Sequence, residues 1–273
     1  MLRGRVLIPL TMLGAPLAAQ RGPEPTLVLT LFAGTADGHG LWEVPHQPFC
    51  VLVGGSSGYT CSGVYDTLAL GRTVTATLIG GVSATYFYRS HFGVLAEFAF
   101  LGLSFDDACK GPTTFSFDPE HWNEKLCDDV TAHAPSTSAV AGFLGIVARA
   151  SPRRSLSPYA RAAVGFVGYS GGTIALNGTF QSTDGTLHSR AVYLDDHPQT
   201  SSVSLQLSGG LVAQLSPGYE LRFELRDAVI PLRRVAGPSN DLLVPPTASR
   251  PFHQVSVVLG LDIVLEKKRG RRY

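Results

Sequence analysis

The chain has 273 residues, 44% of them hydrophobic, which is enough to bury a sizeable apolar surface and excludes a largely disordered protein. Charged residues make up only 16% while glycine reaches 30 residues, a balance that suits strands and turns and disfavours a helical bundle. The formal net charge is +1 and only Lys110, Lys125, Lys267 and Lys268 are lysines, so no basic field exists to steer nucleic acid.

The N-terminal segment MLRGRVLIPLTMLGAPLAAQ places Arg3 and Arg5 before an apolar stretch, Val6 to Leu13, and a small-residue zone, Ala15 to Ala19. This is the pattern of a secretory signal peptide over residues 1–19, cleaved near Ala19; Pro9 and Pro16 argue against an anchor helix. Removing it leaves 20 basic and 21 acidic side chains, a formal charge of −1. Residues 20–25 form a short lead-in. Any membrane span further on must be built from strands, since no later segment resembles a transmembrane helix.

Neighbouring residues on a strand face opposite sides, so a strand with one oily face shows a period of two. A weak version runs from Thr26 to Ala36. From Thr73 to Tyr88 the even positions Val74, Leu78, Val82, Tyr86 and Tyr88 are apolar, and most odd positions are Thr, Ser or Gly. Weaker alternation follows at Phe92 to Phe105, Ser138 to Ala150, and Pro158 to Tyr169, the last with an embedded Arg161. From Ser202 to Leu215, Val203, Leu205, Leu207, Leu211 and Leu215 oppose Ser204, Gln206, Ser208 and Gln214. The clearest case is Tyr219 to Arg226, with Tyr219, Leu221, Phe223 and Leu225 on one face and Glu220, Arg222, Glu224 and Arg226 on the other. The closing strand, His253 to Leu265, aligns Val255, Val257, Leu259, Leu261, Ile263 and Leu265 against Gln254, Ser256, Gly260 and Asp262.

These about eight strands are joined by connections that alternate in length. Tight turns fall at Arg89 to His91, Ser151 to Ser157 and Ser216 to Gly218; long loops fall at Asp37 to Gly71, Asp106 to Thr137, Ser170 to Thr200 and Pro231 to Pro251. An up-and-down antiparallel meander with an even strand number then carries all its long loops at one end. That is the sidedness of transmembrane β-barrels, with short turns inside and long loops outside. About ten residues at about 3.3 Å, tilted by about 40°, also cover the roughly 25 Å apolar band of such barrels. Eight strands leave an interior filled mainly by side chains, which disfavours a wide porin.

The pattern over residues 26–265 resembles the small outer-membrane β-barrel proteins, the eight-stranded kind related in architecture to the membrane domain of OmpA. The resemblance lies in alternation and loop lengths, with no residue signature to carry over. It implies an outer-membrane location, contact with outer-membrane lipid, no cofactor, and a non-enzymatic structural or recognition role through the outer loops toward an extracellular ligand or surface partner. One departure is that Leu265 is followed by a basic tail, EKKRGRRY over residues 266–273, where such proteins usually end a strand on an aromatic residue.

Candidate functional residues fall into several sets. Cys50, Cys61, Cys109 and Cys127 are expected to form disulfides in an oxidising compartment. The pairing Cys50 with Cys61 and Cys109 with Cys127 is favoured because each closes a short loop between the same two strands; the spacings lack the C-x-x-C of a zinc site. Glu97, Arg149, Arg161, Glu220, Arg222, Glu224, Arg226 and Asp262 are expected to line the barrel interior. They form either buried ion pairs filling a narrow lumen or an ion path, and the narrow bore favours the first. Acidic pairs Asp106 and Asp107, Asp128 and Asp129, and Asp195 and Asp196 with His197 are candidate cation ligands, though solvation alone explains them. Trp42, Trp122, Phe117 and His121 either contact a partner or form small loop cores. Tyr86, Tyr88, Tyr159, Tyr169 and Tyr219 suit an interfacial belt.

Two other functions stay open. A soluble lipocalin-type barrel would invert the same alternation to bind an apolar ligand inside, although the scarcity of lysine disfavours a hydrated exterior. A lipid-modifying barrel enzyme would need convergent groups such as His253, Ser256 and Asp262, but His253 and Ser256 differ by three positions and point to opposite faces.

Overall fold

A computed structural model describes residues 26–55, 58–111, 118–132, 136–150, 155–239 and 243–265. Residues 1–19, expected as a signal peptide, residues 20–25, the basic tail and Phe117 lie outside the described residues. In chain order the elements are β1 (Thr26–Ala36), β2 (Gly40–Gly55), β3 (Gly58–Val74), β4 (Thr77–Phe87), β5 (Phe92–Lys110), α1 (Trp122–Ala132), β6 (Ser136–Arg149), β7 (Leu156–Tyr169), β8 (Leu176–Gln181), β9 (Leu187–Tyr193), β10 (Ser201–Ser216), β11 (Tyr219–Val235) and β12 (Thr247–Leu265).

Eight of these strands close a ring in the order β1, β4, β5, β6, β7, β10, β11, β12, with β12 paired back to β1 and every neighbour antiparallel. This is the up-and-down barrel expected of the resemblance. Closure removes free edges from the wall. The remaining strands belong to the connections: β2 and β3 pair as a hairpin between β1 and β4, and β8 and β9 form another between β7 and β10. The strand total therefore exceeds eight because two of the expected loops fold as hairpins.

The expected bounds need four corrections. Thr73 and Val74 end β3 instead of starting the next strand, because the chain reverses at Thr75 and Ala76 before β4. β5, β11 and β12 continue past the expected strand ends to Lys110, to Val235 and from Thr247, since ladder pairing persists above the wall. Two of the three short turns lie wholly in the described residues, at one end of the barrel, and Gly218 takes a left-handed φ of 86° in the β10–β11 turn. The Ser151 to Ser157 turn lies partly outside the described residues.

The oily face of every ring strand points outward. Leu31, Leu78, Phe98, Leu144, Ile146, Val164, Phe166, Leu207, Phe223 and Leu259 are all exposed, while Ser83, Thr85, Ser204, Gln206 and Ser256 are buried inside. Inward positions near the loop end are instead apolar: Ile79, Leu101, Leu103, Phe105, Ile230, Leu232 and Phe252 form a plug continuous with the loop core.

Candidate functional site: the charged lumen and its cap

The deciding geometry lies below that plug, where side chains from opposite walls meet across the bore. Glu97 projects from β5, Arg161 from β7, and Glu224 and Arg226 from β11, all at most 5% exposed. Arg161 bridges Glu97 and Glu224, reaching Glu224 at 2.8 Å. Arg226 spans the same two carboxylates, 2.9 Å from Glu97 and 2.6 Å from Glu224. Two arginines and two glutamates thus form a closed ring of alternating charge. Tyr159 donates its hydroxyl proton to Glu224, Gln206 reaches Glu97 at 3.4 Å, and the Arg226 guanidinium lies 4.2 Å from the centre of Phe32.

Arg222 extends the network toward the short turns, 2.8 Å from Asp262 and 3.8 Å from Glu224. Beyond it Arg149, Glu220, Gln214 and Ser157 line a cavity of about 30 Å³ with Arg222 and Asp262. That volume holds one or two waters at most and suits its polar walls. Arg149 is fixed by donating from Nε to the Ser90 carbonyl at 2.7 Å and by lying over the Phe87 ring.

All eight charges expected inside the barrel are there, four acidic and four basic: Glu97, Arg161, Arg222, Glu224, Arg226 and Asp262 form one network of ion pairs, while Arg149 and Glu220 line the cavity below it. Isolated charges at such burial would be prohibitively costly, which is why partners from three or more strands converge. Tyr159 was expected in the interfacial belt and is corrected: at 8% exposed it faces inward. It shares strand parity with Arg161, and that spacing of two was the available signal. Tyr86, Tyr88 and Tyr219 are exposed at the short-turn end, whereas Tyr169 is half-buried against Ser202 at 2.6 Å.

The outer connections fold into a cap. Cys50 joins Cys61 across β2 and β3 with Cα atoms 5.7 Å apart, and Cys109 at the end of β5 joins Cys127 in α1 at 5.0 Å. The favoured pairing is therefore present, although the second bridge ties a strand to a helix and not the same two strands. Helix α1 buries Trp122, Leu126 and Val130 at a spacing of four, and the Asp118 carboxylate accepts the Asn123 N–H at 2.7 Å in its first turn. Trp122 packs on Phe180, which also meets Tyr59 and His188. Trp42 is buried and donates to the Thr173 carbonyl at 3.1 Å, and Gln47 accepts from Tyr193 at 2.6 Å and from the Ser239 N–H at 2.8 Å. The two tryptophans are thus loop core, while His121 is exposed beside Glu124.

Burial shifts the ionisable groups of this cap. It pushes the Tyr193 hydroxyl well above its ordinary value and lowers that of Arg190, whose guanidinium lies over Phe49 and Tyr59. At the exposed β8–β9 tip Asp184 is held at about 2 by the Ser182 hydroxyl and the Thr186 N–H.

Other expected sets are separated by the fold. Asp107 is buried against Arg72 at 2.5 Å while Asp106 is exposed; Asp129 accepts the Thr179 N–H at 2.7 Å while Asp128 is exposed; Asp195 pairs with Arg233 and Asp196 with His197. Among the described residues no group of three or more potential metal ligands converges. His253 faces outward and lies 2.9 Å from Asp227, whereas Ser256 and Asp262 are buried inside, so these three do not form a triad.

No family model matches the chain, and no curated protein is similar to it in sequence. Solved outer-membrane barrels are similar in outline. The outer membrane protein OprG from Pseudomonas aeruginosa shares 11% identity at a TM-score of 0.49, covering 90% of this chain and 98% of that one. Neisserial surface protein A shares 9% identity at 0.38, covering 87% and 96%, and the outer membrane protein AlkL 14% at 0.36, covering 95% and 99%. The barrel assignment rests on the chain's own closed ladder and not on these likenesses.

Proposed function

We propose that the protein is a resident of a bacterial-type outer membrane, exported by its N-terminal signal segment, that acts without catalysis by holding a disulfide-tied loop cap above the bilayer. The observation that carries this reading is the outward direction of the oily faces on all eight ring strands, which only a lipid environment solvates favourably. A lipocalin-type barrel needs those faces inside. The filled lumen supports a role for the cap over one for the bore: an apolar plug stands above, paired charges in the middle and a cavity of about 30 Å³ below. Recognition of an extracellular ligand or surface partner then falls to the loop elements.

The test is fractionation of expressing cells, followed by electrophoresis with and without boiling. Recovery with the outer membrane and a mobility change on boiling are expected. Recovery as a soluble periplasmic protein would overturn the reading.

A further inference from the structure

Above the apolar band, the inward faces of β11 and β12 carry two arginines side by side. Arg234 pairs in register with Ala248 and Leu232 with Arg250, so the two arginines occupy diagonal positions within reach of long side chains. Arg234 donates from Nη2 to the Pro251 carbonyl at 2.9 Å and lies 5.8 Å from the centre of Phe252, on which His39 also stacks at 4.6 Å.

Like charges this close repel, and several other arginines in the molecule are supplied with carboxylates. Arg233, next in sequence, has Asp195 at 3.2 Å, and Arg72 has Asp107. Arg234 and Arg250 belong to no ion pair among the described residues, and the Arg234 Nε is buried without a hydrogen-bond partner. Partial burial, then the Arg250 charge, pulls the Arg234 pKa below its ordinary value.

We propose that Arg234 and Arg250 form a binding site for an oxyanion, a phosphate or carboxylate group that bridges the two guanidiniums. Arg234 supplies a guanidinium plane held in place by its bond to the Pro251 carbonyl, and exposed Arg250 closes over the ligand from the adjacent strand. The oily outer face on these strands ends at Leu225 and Val255, where Val255 opposes Asp227. Five to seven residues further along β11, at about 3.3 Å each and tilted by about 40°, put the arginines roughly 13–18 Å above that edge. That height suits an anionic group carried on the sugars of an outer-leaflet glycolipid as well as a soluble anion. The site itself does not depend on membrane location; only the source of the anion rests on that reading.

The experiment uses the folded full chain in nonionic micelles and follows arginine Nε–H resonances by NMR, assigned with Arg234→Gln and Arg250→Gln. Inorganic phosphate, compared with chloride at equal ionic strength, is expected to shift the Arg234 and Arg250 signals saturably and to leave buried Arg161 and Arg226 unmoved. Because Arg250 is exposed, Arg250→Gln retains the fold and weakens phosphate binding about tenfold, the loss of one charge-assisted contact. A second arm places the protein in phosphatidylcholine nanodiscs with or without lipopolysaccharide bearing core phosphates. Shifts there identify a membrane-borne source, and shifts with inorganic phosphate alone identify a soluble one. Absence of both, or equal shifts with chloride, overturns the proposal, whatever the fractionation result.

Discussion

Glu224 has two arginines and a tyrosine hydroxyl directly on its carboxylate, with a third arginine 3.8 Å away. Replacing it by Leu leaves those arginines uncompensated inside the wall, at a cost of about 3–5 kcal/mol. Urea-gradient unfolding of the reconstituted barrel should show that loss, and Glu224→Gln, which keeps a hydrogen-bond acceptor, should lose less. Asp184 gives a prediction of opposite environment. Its carboxyl titrates at about 2 in the folded chain, below its unfolded value, so its contribution to the β8–β9 tip is present above the unfolded pKa and is lost as pH falls toward 2. A carboxyl-carbon NMR titration should place the midpoint near 2, and Ser182→Ala should return it toward the ordinary aspartate value. At this scale the sequence was informative about direction. Strand parity put Glu220, Arg222, Glu224 and Arg226 on one face, but which carboxylate each arginine finds depends on strands up to 129 residues apart, as Arg226 with Glu97 shows.

At the scale of elements, the ring and the cap are separable. No ring pairing depends on either disulfide, since Cys50 and Cys61 lie in the β2–β3 hairpin and Cys109 and Cys127 at the outer end of β5 and in α1. Cys50→Ser with Cys61→Ser should therefore speed proteolytic cutting of the cap while leaving heat-modifiable migration intact. On the wall, Phe223→Arg places a charge within the exposed apolar band and should cost about 2–4 kcal/mol in bilayers, against about 0–1 for the same change at Val255 nearer its edge. Unfolding from lipid vesicles measures both. Alternation located every ring strand because half of each faces solvent or lipid and half the lumen. It missed β2, β3, β8 and β9: β2 buries the consecutive run Phe49 to Leu52, and β8 alternates over only six residues. It gave no sign of α1, whose spacing of four is too short a run to stand out in a loop.

For the molecule as a whole, plug, charge ring and cap predict that the bore does not conduct. Planar-bilayer recordings should show no steady ion current, whereas an opened path would appear as discrete steps. Composition, alternation of period two and the alternating connection lengths determined by themselves that the chain closes an antiparallel barrel of about eight strands with its long connections at one end. These are properties of local geometry, repeated along the chain and readable without knowing what touches what. Only the tertiary structure decided which face points outward, because parity is symmetric until the ring closes and one face is shut inside. It likewise decided that Tyr159 serves the lumen, that the loops pack as one cap, and that Arg234 and Arg250 stand together without an ion-pair partner among the described residues, since each depends on contacts between segments distant in sequence.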